Sequence, residues 1–275
     1  MQTLVPKSAS AARQPQTEVL LSVRGLTCRL GGCEVLRDVS FDVSEGEYLS
    51  IVGANGAGKS TLLKCLNRII RSWEGDIQVG GRSMHGCTQR EVARLFAYVP
   101  QFRGGELPYR VEEFAMMSRY WRHSAFSRPG KADRDVVAAA LEQAGIADLA
   151  GRVMDTLSGG ECQKVFIAGA LAQESQILLL DEPSTFLDPR YQHEVTELLR
   201  RLNADSGTTV VAVSHDLNAA ALCSHRVLAL KGGRIVRHCT PAEVMTSEAL
   251  GEIFDTEFIF ADHPGSPIPV VVPAP

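Results

Sequence analysis

The sequence predicts an α/β sandwich built on a mostly parallel sheet, with an antiparallel β part at its N-terminal end and a helical insertion. Three observations carry this. Residues 177–181 and 208–213 are continuous apolar runs, as strands buried on both faces of a parallel sheet are. Residues 47–52 read as a strand that enters a glycine-rich loop, and 62–66 read as the helix that leaves it. Residues 19–24 and 35–43 alternate apolar with polar side chains across a Gly31-Gly32 turn, the pattern of strands with one solvated face. Further along, 77–79 predicts a short strand before a Gly80-Gly81 turn, and 94–100 a strand ended by Pro100, which restricts the residue before it. From about 102 to 157 the chain turns helical and polar. Within it, Val136, Val137, Ala140, Leu141 and Ala144 form one stripe of a helix over 132–144. Helices are expected over 162–173 and 190–201, and 227–230 with 234–236 predicts a hairpin across Lys231-Gly232-Gly233. Residues 1–17 read as a disordered leader, and 261–275 as a proline-rich tail whose segment 268–272 either pairs at a sheet edge or hangs free.

The loop Gly53-Ala54-Asn55-Gly56-Ala57-Gly58-Lys59-Ser60-Thr61 satisfies G-x-x-x-x-G-K-[ST]. Its glycines allow a fold tight enough for backbone N–H groups to face phosphates. Lys59 supplies a point charge to them, and the Ser60 hydroxyl can ligate Mg²⁺. The positive end of the following helix dipole faces the same anion. This predicts a bound nucleoside triphosphate. Hydrolysing one requires a metal partner and a positioned water. Asp181 and Glu182, where a buried strand emerges, suit those two needs: Asp181 beside Mg²⁺ and Glu182 polarising the attacking water. Gln101, after a strand and a proline, is a candidate for reaching metal or water, and His215, just past the second buried strand, for bonding the terminal phosphate. Leu157-Ser158-Gly159-Gly160-Glu161 opens a helix and forms a second terminus suited to an anion. Two copies packed head to tail would let each Ser158 complete the other's site; a plain N-cap by Ser158 is the alternative.

Composition narrows the partners. The 275 residues are 45% hydrophobic, enough for a large core, and the net charge of −4 offers no basic footprint for nucleic acid. No apolar run approaches the roughly 18 residues that span a bilayer. Seven cysteines without a C-x-x-C pair suit reduced thiols rather than a disulfide framework. Cys223, His225, His238 and Cys239 read as filler rather than a metal cluster.

Together these residues resemble the ATP-binding-cassette (ABC) family over roughly 18–240: the phosphate loop, Gln101, the 157–161 signature, the 177–182 strand and His215 stand in that family's order. The resemblance implies a P-loop ATPase cassette spanning 18–260, with a helical subdomain at about 102–157. It implies that ATP and Mg²⁺ are sandwiched between two cassettes, that Asp188 in Ser184-Thr185-Phe186-Leu187-Asp188 lies in the inter-subunit loop, and that Gln101 couples the site to integral membrane permease subunits. The stretches Ala97-Tyr98-Val99-Pro100-Gln101, 168–173 and 181–188 are most similar to ATPase subunits of bacterial importers for iron–siderophore complexes, haem and cobalamin. Such subunits work at the cytoplasmic face of the inner membrane, served indirectly by a substrate-binding protein. An exporter cassette, or a non-transport ATP switch, remains the alternative. Phe102, Tyr109, Phe114, Tyr120 and Trp121 are candidates either for anchoring the membrane subunits or for the core of the helical lobe. Two positions depart from the family pattern. Leu30 stands where an aromatic stacks on adenine, and Cys162-Gln163 follow Glu161 where an arginine is common.

Overall fold

The computed structural model describes residues 18–101, 104–123 and 127–274; the expected leader at 1–17 and the candidate anchor Phe102 lie outside them. In chain order the elements are β1 (Val19–Leu30), β2 (Cys33–Ser44), β3 (Tyr48–Val52), α1 (Lys59–Leu66), β4 (Glu74–Val79), β5 (Arg82–Ser83), α2 (Gln89–Leu95), β6 (Phe96–Val99), α3 (Val111–Met117), α4 (Lys131–Gln143), α5 (Gly159–Ala172), β7 (Ile177–Asp181), α6 (Pro189–Ser206), β8 (Thr209–Val213), α7 (Leu217–Cys223), β9 (Arg226–Lys231), β10 (Arg234–Cys239), α8 (Pro241–Val244), α9 (Ser247–Phe254), β11 (Phe258–Ala261) and β12 (Val270–Pro273).

The central sheet has the order β10-β9-β3-β8-β7-β6. It is parallel throughout except for the β9–β10 hairpin. Every residue of β3, β7 and β8 is buried, which is why β7 and β8 read as apolar runs. The N-terminal part forms a separate antiparallel sheet, β2-β1-β4-β5. It closes over α1 and one face of the central sheet in a core that includes Leu21, Phe41, Leu62, Ile77 and Leu179. The helical insertion and α5–α6 cover the other face through Val111, Leu141, Ile167, Leu180 and Leu199.

Element boundaries differ from expectation at one informative place. The strand expected over 94–100 begins only at Phe96, because Arg94 and Leu95 belong to α2. That helix is started by a reciprocal cap: the Thr88 hydroxyl accepts from the Glu91 N–H while the Glu91 carboxylate accepts from the Thr88 N–H. Downstream, α6 runs on to Ser206 and stops at Gly207, which takes the left-handed conformation (φ 67°) that favours glycine at a helix end. Of the segment 268–272, residues 270–272 pair, in β12 antiparallel to β11 in a separate two-stranded ribbon, and Val271 is buried in a third core with Val52, Ala220, Ala221 and Leu250.

Among the proposed anchors, Phe114 belongs to the lobe core, stacked edge-on against Phe166 at 5.0 Å. Trp121 is wedged between the guanidinium groups of Arg94 and Arg122, while Tyr109 and Tyr120 stand exposed. The lobe is tied to the rest by Arg119, whose side chain is only 3% exposed. It donates to Asp133 at 3.2 Å, to the Ala172 carbonyl at 2.5 Å and to Glu174 at 2.7 Å, joining the start of α4 to the end of α5. Removing one partner of a buried ion pair strands the other charge. Arg119→Leu is therefore expected to destabilise the fold by about 3 kcal/mol or more, read as a lower urea midpoint; an unchanged midpoint would contradict this role.

Candidate functional site

The phosphate loop leaves β3 at Gly53, whose φ of 143° and surroundings both demand glycine: a Cβ there would stand 2.1 Å from the Leu230 carbonyl oxygen. Gly58, with φ 103°, caps α1 without a side chain, so the first N–H groups of the helix point into the loop. Lys59 is 5% exposed and curls over the loop, its Nζ donating to the carbonyls of Gly53 (2.8 Å) and Ala54 (3.0 Å). Burial pulls the pKa of this ammonium down, while the Glu182 and Asp181 carboxylates hold it up. Asn55 and Gly56 are exposed at the loop's crest, Ala57 is buried beneath it, and Thr61 lies in the first turn of α1.

Across from the loop, β7 ends in Asp181, which is 4% exposed. The Ser60 hydroxyl donates to its Oδ1 at 2.8 Å, and the Tyr98 phenol donates to its Oδ2 at 3.0 Å. Burial, and then the Asp181 charge, raise the Tyr98 pKa, so that hydroxyl stays a donor. Glu182 then leaves the strand in the left-handed conformation, with φ 54° and its N–H donating to the Val213 carbonyl at 3.2 Å. A non-glycine residue held in this region stores strain of about 1–3 kcal/mol, a feature that concentrates at working sites. Its carboxylate meets Nε2 of Gln101 on one side and Nε2 of His215 on the other. These three residues follow β6, β7 and β8, which lie side by side, so one carboxylate is gripped from both neighbouring strand ends.

The structure thus brings together the loop 53–61, Gln101, Asp181, Glu182 and His215. The other expected residues form a second surface. Ser158 caps α5 by accepting from the Glu161 N–H at 3.3 Å, and its hydroxyl donates to the Tyr191 hydroxyl at 3.1 Å. The Ser158 N–H bonds back to the Glu161 carboxylate and holds its pKa below the ordinary range. Gly160 packs so closely on Tyr191 that a Cβ would stand 2.1 Å from the ring, while Gly159 is exposed. Asp188 caps α6, accepting from the N–H groups of Arg190 (3.0 Å) and Tyr191 (3.1 Å). Leu30 lies at the exposed end of β1, 41% accessible. Tyr98 is the site residue that sequence reasoning did not single out for a role; a tyrosine one position from the end of a buried strand was the available signal.

This combination of phosphate loop, strand-end carboxylates and helical insertion defines a nucleotide-hydrolysing cassette. Residues 36–185 match the family described as ABC transporter. The iron(3+)-hydroxamate import ATP-binding protein FhuC of Bacillus subtilis is 38% identical over 91% of this chain and 93% of its own. Among solved structures, one reported as a metal-chelate type ABC transporter in an inward-facing conformation superposes with a TM-score of 0.81 at 30% identity, covering 94% of this chain and 98% of that one. The dimeric cassette MJ0796, bound to ADP and phosphate in a post-hydrolysis state, gives a TM-score of 0.69 at 27% identity, covering 81% and 99%. The chain belongs to the ABC transporter family: it binds ATP and is an ATPase.

Gly53→Ala would force a methyl group onto the Leu230 carbonyl in a conformation that L residues resist. If strain of about 1–3 kcal/mol falls on the phosphate-holding conformation, ATP affinity drops by about fivefold to 150-fold, measurable with a fluorescent ATP analogue; wild-type affinity would show that the loop tolerates the side chain.

Proposed function

We propose that the chain energises a bacterial importer of an iron–siderophore complex or related metal chelate, hydrolysing ATP between two copies of itself at the cytoplasmic face of the inner membrane. The observation that carries the hydrolytic reading is the grip of Gln101 and His215 on Glu182 beside the Ser60–Asp181 pair. The cargo class rests on the likeness to the B. subtilis hydroxamate importer ATPase and to the metal-chelate type transporter. The paired arrangement rests on the likeness to the MJ0796 dimer. Integral membrane permease subunits are the partners in this reading, and a substrate-binding protein acts through them.

In this reading the N–H groups of 53–61 and Lys59 hold the β- and γ-phosphates. Ser60 and Asp181 are hard oxygen donors on adjoining elements, which suits Mg²⁺, with the Gln101 amide oxygen a further ligand of the same kind. When bound, the ion neutralises charge that builds on the transferring phosphoryl group. Glu182 accepts a proton from the attacking water, and His215 bonds the γ-phosphate while orienting that carboxylate. Ser158, Gly159 and Gly160 of one copy close over the nucleotide held by the other, and Asp188 lies at the seam between them.

Glu182→Gln keeps the shape of the side chain and removes its basicity. The variant should bind ATP, lose turnover by about a hundredfold or more, and elute as a dimer with ATP and Mg²⁺ in gel filtration. Hydrolysis at the wild-type rate would remove Glu182 from this role.

A further inference from the structure

His215 depends on a short element for its position. It lies between Ser214, whose N–H donates to the Ile51 carbonyl at 3.1 Å, and Asp216, the cap of α7. The local bonds are confined to that cap: the Ser214 hydroxyl donates to the Asp216 carbonyl (2.9 Å), the Asp216 N–H donates to Ser214 Oγ (3.1 Å), and the Ala219 N–H donates to Asp216 Oδ1 (3.0 Å). Helix α7 has seven residues; Ala220 and Ala221 are buried, Leu217 and Cys223 are half-buried against the neighbouring cores, so its apolar anchoring rests on few side chains. An isolated helix this short has little stability of its own.

What fixes the other side of α7 comes from far along the chain. The Asn218 amide donates from Nδ2 to the Val271 carbonyl at 3.0 Å and accepts at Oδ1 from the Val271 N–H at 2.8 Å. One side chain thereby reproduces the pair of bonds that a neighbouring strand would give β12. Val271 is 4% exposed and packs with Ala220, Ala221 and Val52, the residue that precedes Gly53 of the phosphate loop. The ribbon is closed at its base by the bond from the Ala274 N–H to the Glu257 carbonyl, 2.9 Å. It is therefore a buttress against α7, seated in the same apolar cluster as the residue that precedes the phosphate loop.

We propose that Asn218 is a positioning residue for hydrolysis: it clamps the C-terminal ribbon to α7 and so sets the His215 side chain against Glu182. The proposal rests on the role given above to His215. Losing the clamp lets the first turn of α7 shift. The His215 ring, with 38% of its side chain exposed, meets Glu182 from a half-open position that a shift of α7 would disturb. In the proposed site the loop 53–61 and Lys59 supply most of the grip on the phosphates and His215 a single bond, so the defect falls mainly on turnover.

The test uses full-length Asn218→Leu, Asn218→Asp, His215→Ala and the double variant His215→Ala/Asn218→Leu. For each, kcat and KM for ATP are measured with hydrogen–deuterium exchange over 214–223. Asn218→Leu, which loses both bonds, should lower kcat by about tenfold with little change in KM, since small misplacements of catalytic groups act on the chemical step. Amides at 214–219 should exchange faster. Asn218→Asp, which keeps the acceptor for the Val271 N–H, should fall between this variant and the wild type. Adding Asn218→Leu to His215→Ala should cost nothing further, because both changes remove one function. The proposal is overturned alone if His215→Ala is inactive while Asn218→Leu stays within about twofold of wild type, or if Asn218→Leu exacts its full loss in the His215→Ala background. Wild-type turnover by His215→Ala would overturn the role of His215 and this proposal with it.

Discussion

The structure turns on a single carboxylate held between two strand ends. Glu182 follows the middle strand of β6, β7 and β8, and the residues that grip it, Gln101 and His215, follow the strands on either side. Only a parallel arrangement puts three such strand ends at one edge of the sheet, where ligands of open α/β folds bind. The left-handed backbone at Glu182 is the local cost of turning that carboxylate between its neighbours. The remaining site residues are placed by the same edge: β3, beside β8, delivers the phosphate loop, and Ser60 reaches back across to Asp181.

The cassette carries a second surface that does not fold onto the first. The hydroxyl of Ser158 is committed to Glu161 and Tyr191, and Asp188 to the start of α6. Gly160 is required to be glycine by Tyr191, so the α5–α6 contact fixes the orientation of the signature helix within its own chain. Among the described residues this helix terminus is bonded within α5–α6 and not to residues 53–61, which fits an assembly in which each copy supplies what the other's site lacks.

Much of this was legible in the sequence because its signals are local. Gly53 to Thr61 form a contiguous motif, and the apolar runs before Asp181 and through β8 announce buried parallel strands without reference to anything distant. The expected start of β6 falls two residues early, because the Thr88–Glu91 cap, itself a local signal, begins a helix that runs through Leu95. Tyr98 and Asn218 escaped for a different reason. Their partners lie 83 and 53 residues away, and one or two hydrogen bonds between such distant positions leave no periodicity or spacing to read. The aromatic residues of the insertion divided between core and surface, with Phe114 inside and Tyr120 outside, according to packing that only the folded lobe decides.

The central claim is that a working site is assembled from the phosphate loop of one copy and the Ser158 signature of another. Its most direct measurement mixes two variants, Lys59→Ala and Ser158→Arg, each of which should be inactive by itself. Chains of the two kinds that pair can form one site from an intact loop and an intact signature, so the account predicts that ATPase activity appears on mixing. If the mixture hydrolyses no more ATP than the two proteins do apart, the shared site does not exist.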